Sequence, residues 1–252
     1  MSSLRQKLNA FSIILRSIAI TIRDSCLILY ISFSRSSVSP RLRFDRRIHR
    51  WAKALLNVVN ASVQIHNPYK THLTENHPYI LMSNHTSLYD IPLIFEVFPK
   101  NSIRMIAKKE LFQVPLWGKA MKASEFLAID RKNSTQAIKD LEMVREKMQD
   151  GIIPWIAPEG TRSRDGKLGV FKKGGFMLAL QTGATIIPVT IKGAARILPA
   201  KTLNFKKHQT VDIIIGQAID ATQYTVATRL QLLKAVQQAI ENDLQFTTET
   251  SV

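Results

Sequence analysis

From residue 62 onward, short apolar runs alternate with longer stretches of helical spacing, and this limits the fold more than any other feature. The runs at 62–66, 79–83, 103–107, 126–129, 152–157, 185–191 and 211–215 read as strands. Helical spacing covers 88–98, 115–123, 134–149, 174–182 and 223–244. Strands alternating with helices predict an α/β fold: a mixed, largely parallel sheet flanked by helices. No internal repeat, low-complexity tract or second boundary interrupts residues 61–246, which read as one αβ domain, and 247–252 read as a polar tail.

The first sixty residues follow a different pattern. Residues 8–33 are strongly apolar, but Arg16, Arg23 and Asp24 interrupt them. Charges near the centre of a spanning helix are costly. Ser12, Arg16 and Arg23 instead form a narrow polar stripe, as expected for a helix lying in the membrane face. A cleaved signal peptide is the competing reading, but no Ala-x-Ala-like site follows. After a turn at 34–40, residues 41–60 read as a basic amphipathic helix carrying Arg41, Arg43, Arg46, Arg47, Arg50 and Lys53, with Trp51 suited to an interface. The chain has 35 Lys plus Arg against 19 Asp plus Glu, a formal charge of +16, which points to an anionic partner. Aromatic residues are not interleaved with the charge, so nucleic acid is disfavoured and a two-helix membrane-docking motif over 1–60 is expected. The single cysteine, Cys26, excludes an internal disulfide framework and a cysteine zinc site.

Between the strand at 79–83 and the next helix lies Asn84-His85-Thr86-Ser87-Leu88-Tyr89-Asp90. With His85 before the helix and Asp90 in its first turn, the carboxylate can fold back onto the imidazole, giving an oriented general base. The same residues form a capping pattern, with Ser87 as N-cap and Asp90 three residues on. The heptad alone supports both.

Further polar clusters follow other strands: Lys108, Lys109 and Glu110; Asp130 and Arg131; and Pro158, Glu159, Gly160, Thr161, Arg162 and Ser163. Strand ends on one edge of an open α/β sheet share a crevice. Arg131 and Arg162, with Lys108, would then converge near His85 as a phosphate clamp, with Gly160 letting backbone amides approach an anion. The spacing from Gly160 to Lys167 fails as a P-loop, and no Gly-x-Ser-x-Gly elbow, Gly-x-Gly-x-x-Gly turn or His-Glu-x-x-His pair occurs. A base without a protein nucleophile implies that the substrate supplies the attacking hydroxyl.

These residues resemble the glycerolipid acyltransferases, specifically the bacterial 1-acyl-glycerol-3-phosphate acyltransferases. Asn84, His85 and Asp90 match the family's Asn-His-x-x-x-x-Asp motif. Lys108, Glu110, Leu111, Pro115 and Gly118, with Ile129, Asp130 and Arg131, match its second region. Pro158 to Ser163 with Phe171, Lys172 and Gly174 match the third, and Ile187, Pro188 and Val189 the fourth. The resemblance implies acyl transfer from acyl-CoA or acyl carrier protein to the free hydroxyl of lysophosphatidic acid, at the cytoplasmic face of a bacterial inner membrane. It implies His85 as base and Asp90 as its orienting partner. Lys108, Arg131, Gly160, Thr161 and Arg162 would bind substrate, with Glu159 positioning the glycerol or the arginines. It calls for no metal or bound cofactor. Another lyso-lipid acceptor, or a basic membrane-binding protein without chemistry, remains open at this point.

Overall fold

The computed structural model describes residues 4–130 and 133–245. Two helices, α1 (Leu4–Phe33) and α2 (Pro40–Val58), precede the sheet. Then come β1 (Ser62–His66), β2 (Tyr79–Ser83), α3 (Asp90–Ile94), β3 (Ile103–Lys108), α4 (Trp117–Ala123), β4 (Leu127–Ile129) and α5 (Ser134–Gln149). They are followed by β5 (Ile153–Ile156), α6 (Gly174–Thr182), β6 (Thr185–Lys192), α7 (Ala194–Ile197), β7 (Thr210–Ile215), β8 (Ile219–Asp220) and α8 (Arg229–Gln245).

One sheet has the order β1-β7-β6-β2-β5-β3-β4, with β8 also beside β6. Strands β6, β2, β5, β3 and β4 run parallel, whereas β7 is antiparallel to β6 and parallel to β1. The sheet is mixed and largely parallel, as the alternation of runs predicts. Side chains alternate across it. Leu81 joins a core built with Ile48, Leu93 and Met121 from α2, α3 and α4. Its neighbours Ile80 and Met82 join the opposite core with Val144, Phe176 and Val236 from α5, α6 and α8. Burial on both faces explains why β2 reads as an unbroken apolar run.

Strand β6 contains Pro188, which a central strand ordinarily rejects because proline donates no hydrogen bond. The antiparallel partner of β6 changes here. Thr185 and Ile186 pair with β8, Val189 to Lys192 pair with β7, and Pro188 falls in the gap.

Short elements depart most from expectation. The helix foreseen over 88–98 is the five-residue α3, after which Phe95 to Pro99 form turns. A 3₁₀ turn, Lys109–Gln113, precedes α4, and Gly118 is required because an added Cβ would collide with the Phe112 backbone. α8 begins at Arg229, later than the spacing suggests.

Helices α1 and α2 pack on the domain as well as on each other. Asp24 of α1 is buried and pairs with Arg23 at 2.6 Å and with Arg47 of α2 at 3.1 Å. Trp51 Nε1 donates to Thr21 Oγ1 at 3.1 Å, so this tryptophan faces α1 rather than a membrane interface. The basic face of α2 is partly engaged within the protein. Arg41 binds Glu125, Arg43 binds Ser34 and Arg47 binds Asp24, while Arg46, Arg50 and Lys53 remain exposed. α1 buries Ile13 and Ile28 yet also leaves a row of large apolar side chains outside. Asp24 and Ser25 face inward, whereas Leu4, Leu8, Phe11, Leu15, Ile18 and Ile22 are exposed. No helix among the described residues is long and apolar enough to cross a membrane.

Glu125 sits between Arg41 at 2.7 Å and Lys147 at 3.1 Å. The Arg41 guanidinium bond, helped by Lys147, holds its carboxyl down from 4.5 to about 2. A depressed carboxylate stabilises the fold above its unfolded pKa and loses that contribution as pH falls through its folded one. Solvent screening reduces the roughly 3 kcal/mol implied by such a shift to about 2 kcal/mol. Urea unfolding of Glu125→Gln is therefore expected to show this deficit at pH 7 and parity with the parent near pH 2. A deficit independent of pH would refute the assignment.

Candidate active site

The parallel strands bring their carboxyl ends to one edge, where β2 delivers His85, β5 delivers 157–163 and β3 delivers Lys108. Asn84 fixes the end of β2. Its side-chain amide donates to the Ile191 carbonyl at 2.9 Å and its carbonyl accepts from the Ile191 amide at 2.8 Å. The loop is clamped again where Ser87 Oγ donates to the Leu198 carbonyl at 2.8 Å.

His85 Nδ1 lies 2.8 Å from Asp90 Oδ2. The same oxygen accepts from the amides of Thr86 at 2.6 Å and Ser87 at 2.8 Å. An oxygen that binds two N–H donors is an acceptor, so the imidazole proton sits on Nδ1 and the free lone pair on Nε2. The His85 side chain is 16% exposed and Asp90 is fully buried. Trp155 meets the imidazole edge-on at 6.0 Å and donates to Ser83 Oγ at 2.9 Å. The helix begins at Asp90 with Tyr89 at the N-cap position and no side-chain cap bond, so Ser87 is not the N-cap expected from sequence; Asp90 still reaches back to the Ser87 amide and to the ring at once. Among the described residues no side-chain hydroxyl or thiol bonds to Nε2.

Glu159 holds His85 from the other side. Its Oε1 accepts from the His85 amide at 2.9 Å and its Oε2 from the Gly169 amide at 2.9 Å. Both oxygens are therefore engaged with backbone. Glu159 thus links the His85 backbone to the Gly169 backbone, whereas the sequence reading has it positioning the glycerol or the arginines. Burial pushes its carboxyl above the usual range, against the pull of the two amides. The Ser163 amide donates to the His85 carbonyl at 2.8 Å, which brings Arg162 within one residue of the histidine backbone.

Gly160 has φ +72°, a conformation glycine adopts freely, and the Lys172 side chain crosses it. Its amide is held by the Ala157 carbonyl. Thr161 is exposed and Arg162 half-buried, and among the described residues neither backbone amide has an intramolecular acceptor. Two such amides after a left-handed glycine suit an anion. The amides of Thr86, Ser87, Tyr89 and Asp90 are all occupied internally. Lys108 is exposed at the end of β3, two strands from β2. Arg131 lies outside the described residues. Among the described residues no cluster of three His, Cys, Asp or Glu could hold a metal.

Beside the loop is an apolar cavity of about 480 Å³ between α1, α2, α3 and α4, lined by Ile18, Ile48, Leu88, Tyr89, Met105 and Phe126 among others. Burial pushes the Tyr89 phenol up to about 12, against a smaller downward pull from Ser17 of α1. Leu88 and Tyr89, in the same loop as His85, line this cavity.

Fold and site define a class: an α/β protein in which a carboxylate-oriented histidine lies in a loop that also lines an apolar cavity. The comparisons narrow it. The acyltransferase family model matches residues 62–192, so the chain belongs to the acyltransferase family. A chloroplastic 1-acyl-sn-glycerol-3-phosphate acyltransferase of Brassica napus is 31% identical over 184 residues, covering 70% of this chain and 52% of that protein. The human 1-acyl-sn-glycerol-3-phosphate acyltransferase beta is 33% identical over 156 residues, 62% of this chain and 55% of that protein. The chain spans about half the length of these curated relatives. The crystal structure of the 1-acyl-sn-glycerophosphate acyltransferase PlsC from Thermotoga maritima superposes with a TM-score of 0.78, covering 98% of this chain and 99% of that one. At 23% identity it shows the shared fold, including the two leading helices within the matched length.

Proposed function

We propose that the chain transfers a fatty acyl group from an acyl thioester, acyl-CoA or acyl carrier protein, to the free hydroxyl of 1-acyl-glycerol-3-phosphate, giving phosphatidic acid. The observation that carries this is the His85–Asp90 pair with no protein nucleophile at Nε2 among the described residues. In the reaction Nε2 takes the hydroxyl proton and the oxygen attacks the thioester carbonyl. The tetrahedral intermediate then expels the thiolate, which recovers the proton from the imidazolium. Asp90 stabilises that imidazolium. Arg162, Lys108 and the Thr161–Arg162 amides are the groups available for the substrate phosphate, with Arg131 a further candidate from sequence. The apolar cavity suits an acyl chain, and the relatives' names supply the acceptor.

The exposed apolar face of α1 supports peripheral or monotopic attachment to a bilayer, and the cytoplasmic face of a bacterial inner membrane is the location we propose from the family resemblance. The test crosses purified full-length protein with both thioester donors and a panel of lyso-lipids. Phosphatidic acid from lysophosphatidic acid with at least one donor is the expected product. Acylation of another lyso-lipid alone would reassign the acceptor, and no acylation at all would reject the reading.

A further inference from the structure

The loop after β5 carries a feature that neither the base nor the anion site uses. Val170 is 89% exposed, the most exposed large apolar side chain among the described residues. It stands between exposed Gly169 and buried Phe171, which stacks on Phe176 at 6.3 Å. A valine anchored by a buried neighbour yet held almost wholly outside the fold is presented rather than merely loose. The charges around it have one dominant sign. Arg164, Lys167, Lys172 and Lys173 are exposed, against the single exposed carboxylate of Asp165. That carboxylate is occupied with Ser163 Oγ and the Lys167 amide, at 3.0 and 3.2 Å.

An apolar tip inside a ring of cations matches an anionic lipid surface: the valine enters between headgroups and the ammonium and guanidinium groups meet phosphates. The loop leaves the same edge of the sheet as the His85 loop and the cavity beneath α1. We propose that the 163–173 loop is a second bilayer contact, separate from the two leading helices, with Val170 as its inserted tip. The inference deepens the membrane reading above and rests on it. Its link to catalysis is short. Gly169, next to Val170, donates to one Glu159 oxygen, and the other oxygen holds the His85 amide. The inserted tip thus sets the height of the catalytic histidine above the lipid, where the acceptor hydroxyl lies.

Two measurements on the full chain test this. In the first, Val170→Cys in a Cys26→Ser background carries an environment-sensitive fluorophore and is mixed with vesicles of phosphatidylglycerol and phosphatidylcholine. A blue shift with brightening is expected; an unchanged spectrum on vesicle-bound protein overturns the contact. In the second, Val170→Asp is assayed on lysophosphatidic acid held in vesicles and on a short-chain analogue free in solution. Loss of one buried valine contact predicts about tenfold lower vesicle activity, with the soluble rate unchanged. Full vesicle activity, or equal loss in both formats, overturns the proposal. If the parent protein acylates neither acceptor, the proposed reaction fails, and the fluorophore still decides the loop.

Discussion

Replacing His85 with alanine is expected to lower acyl transfer by about 10²–10⁴-fold, the usual contribution of a positioned general base. The protein should remain folded. The backbone contacts that hold residue 85, its amide to Glu159 and its carbonyl from Ser163, do not involve the imidazole. Only the Asp90 bond and the edge contact with Trp155 are lost. Vesicle binding should also persist, because α1 and the 163–173 loop are untouched. Turnover by His85→Ala equal to the parent's would eliminate the base. The same change is cleaner than Asp90→Asn, whose carbonyl oxygen can take the place of Oδ2 and keep all three N–H bonds, leaving its NH₂ at the buried, unpartnered Oδ1 position.

Glu159→Gln has the next largest expected effect, and for a different reason. Glutamine must turn its NH₂ toward one of two backbone N–H groups, His85 or Gly169. One buried donor is left facing another, at a cost of about 1–3 kcal/mol. Displacing the His85 backbone by a fraction of the reacting distance lowers kcat by about 10²-fold. The split between kcat and KM discriminates the roles. If Glu159 faced the phosphate of the acceptor, removing its charge would improve binding and lower KM. A positioning role predicts that kcat falls while KM for the lipid moves little. A lowered KM with kcat intact would return Glu159 to the substrate site.

The central strands were legible because burial on both faces writes itself as continuous apolar sequence, as in β2 and β6. α5 and α6 were equally plain, with Asn133 capping the former through the Gln136 amide and Gly183 closing the latter. Short elements were not: the 3₁₀ turn at Lys109–Gln113, α7 and β8 are set by what packs around them rather than by local periodicity. At the site, the spacing of His85 and Asp90 allowed the pair, and the other motif clusters tipped the reading toward it. Nothing local announced that Glu159 would bind amides on two distant loops, because that depends on β5 lying beside β2. Ser163 and Gly169 act through backbone groups that every residue possesses, and so leave no compositional mark. The inward turn of Asp24 was hidden for a similar reason. Its partner, Arg47, stands on the next helix, and a charge in an apolar run reads as surface until that partner is known.

The clamps on the histidine loop come from far along the chain: Glu159, Ile191 and Leu198. During synthesis His85 leaves the ribosome long before any of them. Until β6 has threaded beside β2, the emerging heptad has its own Asp90 but none of these distant clamps. The histidine loop is therefore completed with β6 and the segment after it, which also supplies Leu198 and Phe205 to the apolar cavity. A chain ending at β5 would carry the full His-to-Asp motif without the Glu159, Ile191 and Leu198 contacts that hold its loop in place, so the motif and its setting are completed at different times in synthesis.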